Sequence, residues 1–294
     1  VRVSCRKSRL YHSGAVAERV VEAIAARSGA ATAPPQSDEA QLVVVRLERD
    51  ICQLAVDSSG AHLHQRGYRQ AVTQAPLRET LAAAMLLASG WDGRYPLVDP
   101  FCGSGTIAIE AALLARRMAP GRQRRFRFMR WPCFDPSLWE LLLERALGGE
   151  LASSPAPIYA SDRNGWAVRA ARENATRAGV GGDLSVERLD VADLGPPAGR
   201  GWLVSNPPYG LRLGGAAGEA LQLLLQVASS RFAGWKLALL VPLGLSGALP
   251  GSWLKAVLRT FNGGLPVRLH AGCVPHSAGP PPAEGLPQGV NSPT

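Results

Sequence analysis

From residue 76 onward, short apolar runs alternate with longer stretches whose apolar residues recur at helical spacing. The runs "PLVD", "IYAS", "LSVERLD", "GWLVS" and "KLALLV" read as strands, with a last one near "LPVRLHA". Between them, "PLRETLAAAMLLASG", "TIAIEAALLARRM", "GWAVRAARENATRAG" and a segment around 217–232 read as helices. Pro76 suits the first position of the first helix and Gly90 its end. This alternation predicts an α/β domain around a mostly parallel sheet.

Upstream the pattern differs. Residues 1–60 read as a small α+β piece: a short strand, the amphipathic helix "GAVAERVVEAIAARSG", the polar loop "ATAPPQSDEA", then strands "LVVVRLER" and "ICQLAVD" as a hairpin. Residues 61–75 form a basic connector, a basic insertion runs from Pro120 to about Pro157, and the tail 273–294 is rich in Pro, Gly and Ser and is expected to be disordered. The expected division is therefore 1–60, 61–75, 76–272 and 273–294.

Composition adds three constraints. With 46% hydrophobic residues over 294 positions the chain can bury a sizeable core, which excludes a disordered protein. Its 32 Lys and Arg against 23 Asp and Glu, a net charge of +9, favour a polyanionic partner. Cys5, Cys52, Cys102, Cys133 and Cys273 are odd in number and contain no C-x-x-C pair, which argues against a disulfide framework or a zinc site and for a reducing, cytoplasmic setting. The most apolar run, "LALLVPLGL", is too short to span a bilayer and is broken by Pro242, so no membrane association is expected. The start, "VRVSCRKSRLYH", lacks Met and a signal-peptide core, and the chain is expected to begin inside a longer protein.

The candidate chemistry begins at "VDPFCGSGTIAIEAA". Asp99 stands at a strand end, and Gly103 and Gly105 lie in the turn before a helix, where backbone and ligand can approach closely. In an open α/β sheet this edge binds nucleotide-like cofactors. A dinucleotide site expects its acid about 20 residues later, whereas this chain supplies Asp162 at the end of the next strand and Asp190 at the end of the one after. Three carboxylates at successive strand ends can serve the amino-acid end, the ribose and the adenine of one cofactor. Asp162 or Asp190 alone reads more readily as a loop acid or helix cap; together with the glycine turn they favour the site.

The second motif is "SNPPYGLRL". Two prolines end the strand and stiffen the loop. The Asn206 side-chain oxygen and the Pro207 carbonyl can accept the two hydrogens of an exocyclic amine, returning its delocalised lone pair to nitrogen for attack on a methyl group. Tyr209 can stack on the base, and rigidity at Pro207 and Pro208 keeps nucleophile and methyl in line. With S-adenosylmethionine as donor, neither metal nor histidine is needed.

"DPFCGSGTIAIEAA", "SDRNGWAVRAARENATRAGV" and "SNPPYGLRL" resemble the motifs of the THUMP-associated bacterial 23S ribosomal RNA guanine-N2 methyltransferases. "KSRLYHSGAVAERV" and "DSSGAHLHQRGYRQAVTQAPLRETLAAAMLL" resemble the end of their THUMP domain and the linker that follows. The resemblance runs from residue 1 to about 272. It implies a class I (Rossmann-like) fold with a mostly parallel seven-stranded sheet, preceded by a partial THUMP RNA-binding piece. It also implies that Asp99, Cys102, Gly103, Ser104, Gly105 and Thr106 line the methionine end of S-adenosylmethionine, Asp162 its ribose and Asp190 its adenine, with Asn206 to Tyr209 as the target-amine loop. Two departures stand out: the front of the THUMP domain and the small domain before it are absent, and Leu211 replaces an expected charged or variable residue.

Arg66, Arg69, Arg122, Arg124 and Arg125 are candidate RNA contacts. Phe126, Phe128 and Trp131 between them read first as core packing, and Glu110 as structural. Two alternatives remain open: a transfer-RNA guanine-N2 or DNA adenine-N6 methyltransferase, since N-P-P-Y handles any planar amine, and a non-catalytic RNA-binding or assembly factor.

Overall fold

The computed structural model describes residues 1–33, 37, 40–70, 77–209 and 216–276. Pro76, Leu211, much of the "ATAPPQSDEA" loop, the end of the basic connector and most of the tail lie outside the described residues. The elements of the first half are β1 (Arg2–Arg6), α1 (Ser13–Ser28), β2 (Val43–Glu48), β3 (Ile51–Val56), α2 (Glu79–Ala88), β4 (Leu97–Asp99), α3 (Thr106–Ala115) and α4 (Pro136–Gly148). The second half holds β5 (Ile158–Asp162), α5 (Gly165–Ala178), β6 (Leu184–Arg188), β7 (Trp202–Ser205), α6 (Ala216–Arg231), β8 (Lys236–Pro242), β9 (Lys255–Asn262) and β10 (Leu265–Cys273). No helix among the described residues is long and apolar enough to cross a membrane.

The chain gathers into two compact units. One comprises Val1–Gly67 and Ala119–Gly149; the other comprises Tyr68–Met118 and the described residues from Glu150 onward. The basic insertion, which lies within the 76–272 span, thus groups with the N-terminal segment.

In the first unit β1 pairs parallel with β2, and β2 antiparallel with β3. α1 is capped by His12 Nδ1, which accepts from the Ala15 amide at 3.1 Å. The insertion packs within itself, Phe128 stacking on Phe126 at 5.3 Å and meeting Trp139 edge-on at 5.4 Å, and the Phe128 amide ties it to Ser58 O at 3.1 Å. Phe126 and Phe128 pack as expected, while Trp131 donates from Nε1 to Gln41 Oε1 at 2.7 Å. Helix α4 was not foreseen inside the arginine-rich insertion. Its signal is "DP": Asp135 accepts from the Ser137 and Leu138 amides at 2.9 and 3.0 Å, and Pro136 opens the helix, where its missing N–H costs nothing.

The second unit is a seven-stranded sheet in the order β6-β5-β4-β7-β8-β10-β9, parallel throughout except that β10 runs antiparallel to both its neighbours. The mostly parallel seven-stranded α/β fold is therefore as expected. Its central strands are buried on both faces, which is why their sequences are continuously apolar. Leu97, Ala238 and Leu240 join the core under α2, α3 and α5, while the alternate residues Val98, Leu237, Leu239 and Val241 join the core under α6. Each fully buried leucine here contributes about 1.5–3 kcal/mol. Helix α3 stops at Ala115, short of the expected Met118, because Arg117 turns left-handed at φ 57°. Strand β9, "KAVLRTFN", is an edge strand whose residue types do not alternate although its exposure does from Val257 to Asn262, so its sequence carries no strand signature.

Candidate active site

The parallel strands β4, β5 and β7 deliver Asp99, Asp162 and Ser205, their last residues, to one edge of the sheet. Asp99 is 1% exposed. Its Oδ1 accepts from Ser205 Oγ at 3.2 Å and from the Phe101 amide at 3.3 Å. Burial, and secondarily the charge of Asp162, pushes its carboxyl up to about 7 against two opposing hydrogen bonds. Burial also raises the Cys102 thiol well above its ordinary range, with Asp99 adding to the effect. Cys102 is therefore a packed, neutral thiol here.

The turn that follows is laced from several directions. The Cys102 amide donates to Ser161 O at 2.9 Å and the Gly105 amide to Cys102 O at 2.8 Å. Asp162 Oδ2 accepts from the Gly103 amide at 3.1 Å, and its Oδ1 from the Asn164 amide at 2.9 Å. Asp162 thus pins the turn as well as facing the edge. Gly105 sits at φ 86°, and a Cβ there would meet Ala171 Cβ at 3.0 Å, so α3 approaches α5 only because this position is glycine. Ser104 and Thr106 are buried beside it.

Asp190 lies two residues beyond β6 rather than at its end. Its Oδ1 accepts from the Ala192 amide at 3.0 Å and caps the short 3-10 turn Val191–Asp193. A cleft of about 320 Å³, lined by Val98, Tyr159, Ser161, Leu189, Leu194 and Pro196 among others, opens on the α6 face near Asp162 and Asp190.

After β7 the chain leaves the sheet through Asn206, buried Pro207, exposed Pro208 and half-buried Tyr209. Tyr209 packs against the core under α2, α3 and α5, and its hydroxyl accepts from Asn262 Nδ2 at 3.0 Å. Burial raises its phenol, and the Asn262 bond opposes that rise.

Two buried oxygens, Asp99 Oδ2 and Asn206 Oδ1, have no hydrogen-bond partner among the described residues. Orphaned buried acceptors are rare, because each forfeits its hydration. They stand at the ends of adjacent strands β4 and β7, beside a turn built for close approach. This lining fits a ligand rich in N–H donors with positive charge, as S-adenosylmethionine is, and an amine beside it. Among the described residues no group of three or more His, Cys, Asp or Glu is placed to hold a metal ion.

The candidate RNA arginines fare unequally. Arg69, with a side chain only 14% exposed, pairs with Glu79 at 2.8 Å and donates to Leu77 O at 2.7 Å. Arg124 donates to the carbonyls of Ser59, Ala61 and His62 and lies over the Phe126 ring. Both guanidinium groups are engaged within their own units rather than held out to a phosphate. Arg125 is exposed, while Arg66 and Arg122 are half-buried. Tyr68 is buried and donates to Glu110 at 3.0 Å, which makes Glu110 structural. Ser205, Asn174 and Asn262 carry no local sequence signal, because their roles depend on partners far along the chain.

Residues 66–242 match the family model "RMKL-like, methyltransferase domain". A Shewanella sp. (strain MR-4) protein named ribosomal RNA large subunit methyltransferase K/L is 44% identical over 225 residues, covering 72% of this chain and 31% of that protein. Its Alteromonas mediterranea namesake is 48% identical over 176 residues, covering 58% of this chain and 25% of that protein. The chain therefore spans well under two thirds of these relatives. The crystal structure of SMU.472 complexed with SAH superposes with a TM-score of 0.77 at 27% identity, covering 94% of this chain and 75% of that one. The chain belongs to the RMKL-like methyltransferase domain family, with S-adenosylmethionine as its cofactor.

Proposed function

We propose that this chain methylates the exocyclic N2 amine of a guanine in 23S ribosomal RNA. The observation that carries this reading is the orphaned Asn206 oxygen, buried in a proline-stiffened loop next to the strand that presents Asp99. The relatives' names support an RNA of the large ribosomal subunit, and the resemblance of "SNPPYGLRL" supports the guanine amine.

When bound, S-adenosylmethionine supplies an electrophilic methyl on a sulfonium whose leaving group is a neutral thioether. The chain's residues do the rest. Asp99 Oδ2 accepts from the donor's ammonium, and Asp162 and Asp190 serve its ribose and adenine. Asn206 Oδ1 and the Pro207 carbonyl accept both amine hydrogens, favouring a pyramidal nitrogen and stabilising the positive charge that builds as the N–C bond forms, after which one of these hydrogens leaves to solvent as a proton. Tyr209 stacks on the base, which must leave its own stack to reach the pocket. Pro207 and Pro208 hold this geometry without an ordering cost at reaction. Residues 1–60, with the insertion, are proposed as a partial THUMP RNA-binding unit in a cytoplasmic enzyme, with exposed Arg125 as a phosphate contact.

The test is Asn206→Ala. Transfer of tritiated methyl to 23S ribosomal RNA transcribed in vitro is expected to vanish, while calorimetry shows S-adenosylmethionine binding retained. Lost cofactor affinity with turnover preserved would reverse the assignment. Transfer RNA and DNA assayed in parallel decide the substrate class.

A further inference from the structure

Strands β9 and β10 are joined by Gly263 and Gly264, both left-handed (φ 57° and 86°), as a two-residue hairpin turn requires. The register places this turn. β8 ends at Pro242, which pairs with Val267, so Leu265 and Pro266, and Phe261 and Asn262 opposite them, run past the end of β8. At about 3.3 Å per residue the hairpin projects by roughly 7 Å. Because β8 is parallel to β7, it projects at the edge where Asn206 leaves the sheet.

The two faces of the hairpin differ in character. On one, Leu258 and Leu265 pack into the core that also holds Tyr209, and Asn262 donates to the Tyr209 hydroxyl at 3.0 Å. On the other, Arg259 stands directly opposite Arg268, and Phe261 opposite Pro266. Phe261 is 64% exposed. Like charges directly opposite on neighbouring strands destabilise a sheet, and among the described residues neither arginine forms an ion pair with a carboxylate. An exposed aromatic ring beside two juxtaposed cations, on a projection fastened to the target-amine loop, has the chemistry of a single-stranded nucleic acid platform.

We infer that the β9–β10 hairpin docks the RNA strand that carries the target base, with Phe261 stacked on a neighbouring base and Arg259 and Arg268 on its phosphates. The inference rests on the reading of Asn206 to Tyr209 as the amine loop and deepens it. Tyr209 and Phe261 then lie on opposite faces of the hairpin, so that the target base and its neighbour are held apart and unstacked.

The experiment compares the intact chain with Phe261→Ala, Phe261→Trp and the double variant Arg259→Ala/Arg268→Ala. The readouts are anisotropy of a fluorescent single-stranded RNA of about 12 nucleotides, methyl transfer to in vitro 23S ribosomal RNA, and calorimetry with S-adenosylmethionine. Phe261→Ala is expected to raise the RNA Kd and KM about tenfold, and Phe261→Trp to restore them. The double arginine variant is expected to flatten the slope of log K against log salt by about 1.4. Cofactor affinity and kcat at saturating RNA stay unchanged in all three. If the variants bind RNA like the parent while the parent methylates it, the docking surface is disproved and the proposed function survives. If kcat falls with RNA affinity intact, the hairpin is a structural support and the inference fails. If the parent chain methylates no RNA, the proposed function fails, and this inference with it.

Discussion

Asn174, fully buried on α5, donates its side-chain amide to the carbonyl of Ser104 at 3.0 Å, tying the glycine turn to a helix 70 residues away in sequence. Its Oδ1 accepts from the Gln70 amide at 3.3 Å and from Arg177, whose Nε in turn donates to Tyr68 O at 2.9 Å. One side chain therefore fixes both the turn and the segment that leads into the sheet.

Asn174→Asp separates these two tasks. A carboxylate still accepts from Gln70 and Arg177 but cannot donate to Ser104, so the turn loosens while the connector stays. The expected result is weakened S-adenosylmethionine binding by calorimetry with a modest loss in thermal stability. Asn174→Ala removes every partner and is expected to destabilise by about 2 kcal/mol in chemical denaturation.

With Asp99 in its proposed place at the cofactor's ammonium, its raised carboxyl is expected to make cofactor binding depend on pH. With its folded value near 7 and its unfolded value near 3.8, the folded state holds a proton between these limits that the unfolded state lacks. The contribution of Asp99 to stability therefore falls as pH rises through that window. A positively charged ammonium at Oδ2 prefers the carboxylate, so binding releases the proton. Affinity is expected to rise by up to about tenfold per pH unit towards 7 and then level off. Calorimetry in buffers of different ionisation enthalpy reads the proton directly, and Asp99→Asn removes both the release and the pH dependence.

What was legible in the sequence followed from local rules. Alternating apolar runs gave the strand–helix order, and the residues at strand ends fell where a parallel sheet gathers them. Asp99 and Asp162 arrived at adjacent strand ends for that reason, whereas Asp190 overshot β6 because a 3-10 turn begins there. Less visible were features decided by distant pairing. Ser205 is notable only because β7 neighbours β4, and Asn262 only because an edge strand with no periodic signature carries it to Tyr209. The grouping of the insertion with the N-terminal segment rests on bonds from Arg124, Phe128 and Trp131 to Gln41 and residues 58–62, which no local pattern encodes.

Arg69 illustrates how composition misleads. Its charge suggested RNA, yet its guanidinium faces Glu79, which is 2% exposed. Removing one member of a buried pair costs about 3 kcal/mol, because it leaves a desolvated charge behind. Arg69→Met is therefore expected to lower the melting temperature markedly, by differential scanning calorimetry. At a temperature where both proteins are folded, its RNA affinity and salt slope should match the parent's. A selective loss of RNA affinity at unchanged stability would return Arg69 to the phosphate contacts.

Gly105→Ala tests whether the turn's shape depends on the close approach of two helices. The substitution imposes a left-handed conformation on a residue with a Cβ, at about 1–2 kcal/mol. It also drives that Cβ to 3.0 Å from Ala171 Cβ and 3.2 Å from Ala171 Cα. Relief of the clash requires α3 and α5 to separate, which displaces the Ser104 and Thr106 amides from the edge that Asp99 faces. Cofactor affinity should therefore fall along with stability. Ala171→Gly removes one of the two clashing atoms but does nothing for the backbone strain. In the double variant, cofactor affinity is expected to recover in part while the stability deficit persists, and a purely additive double-mutant cycle would show that the two helices do not meet at this point.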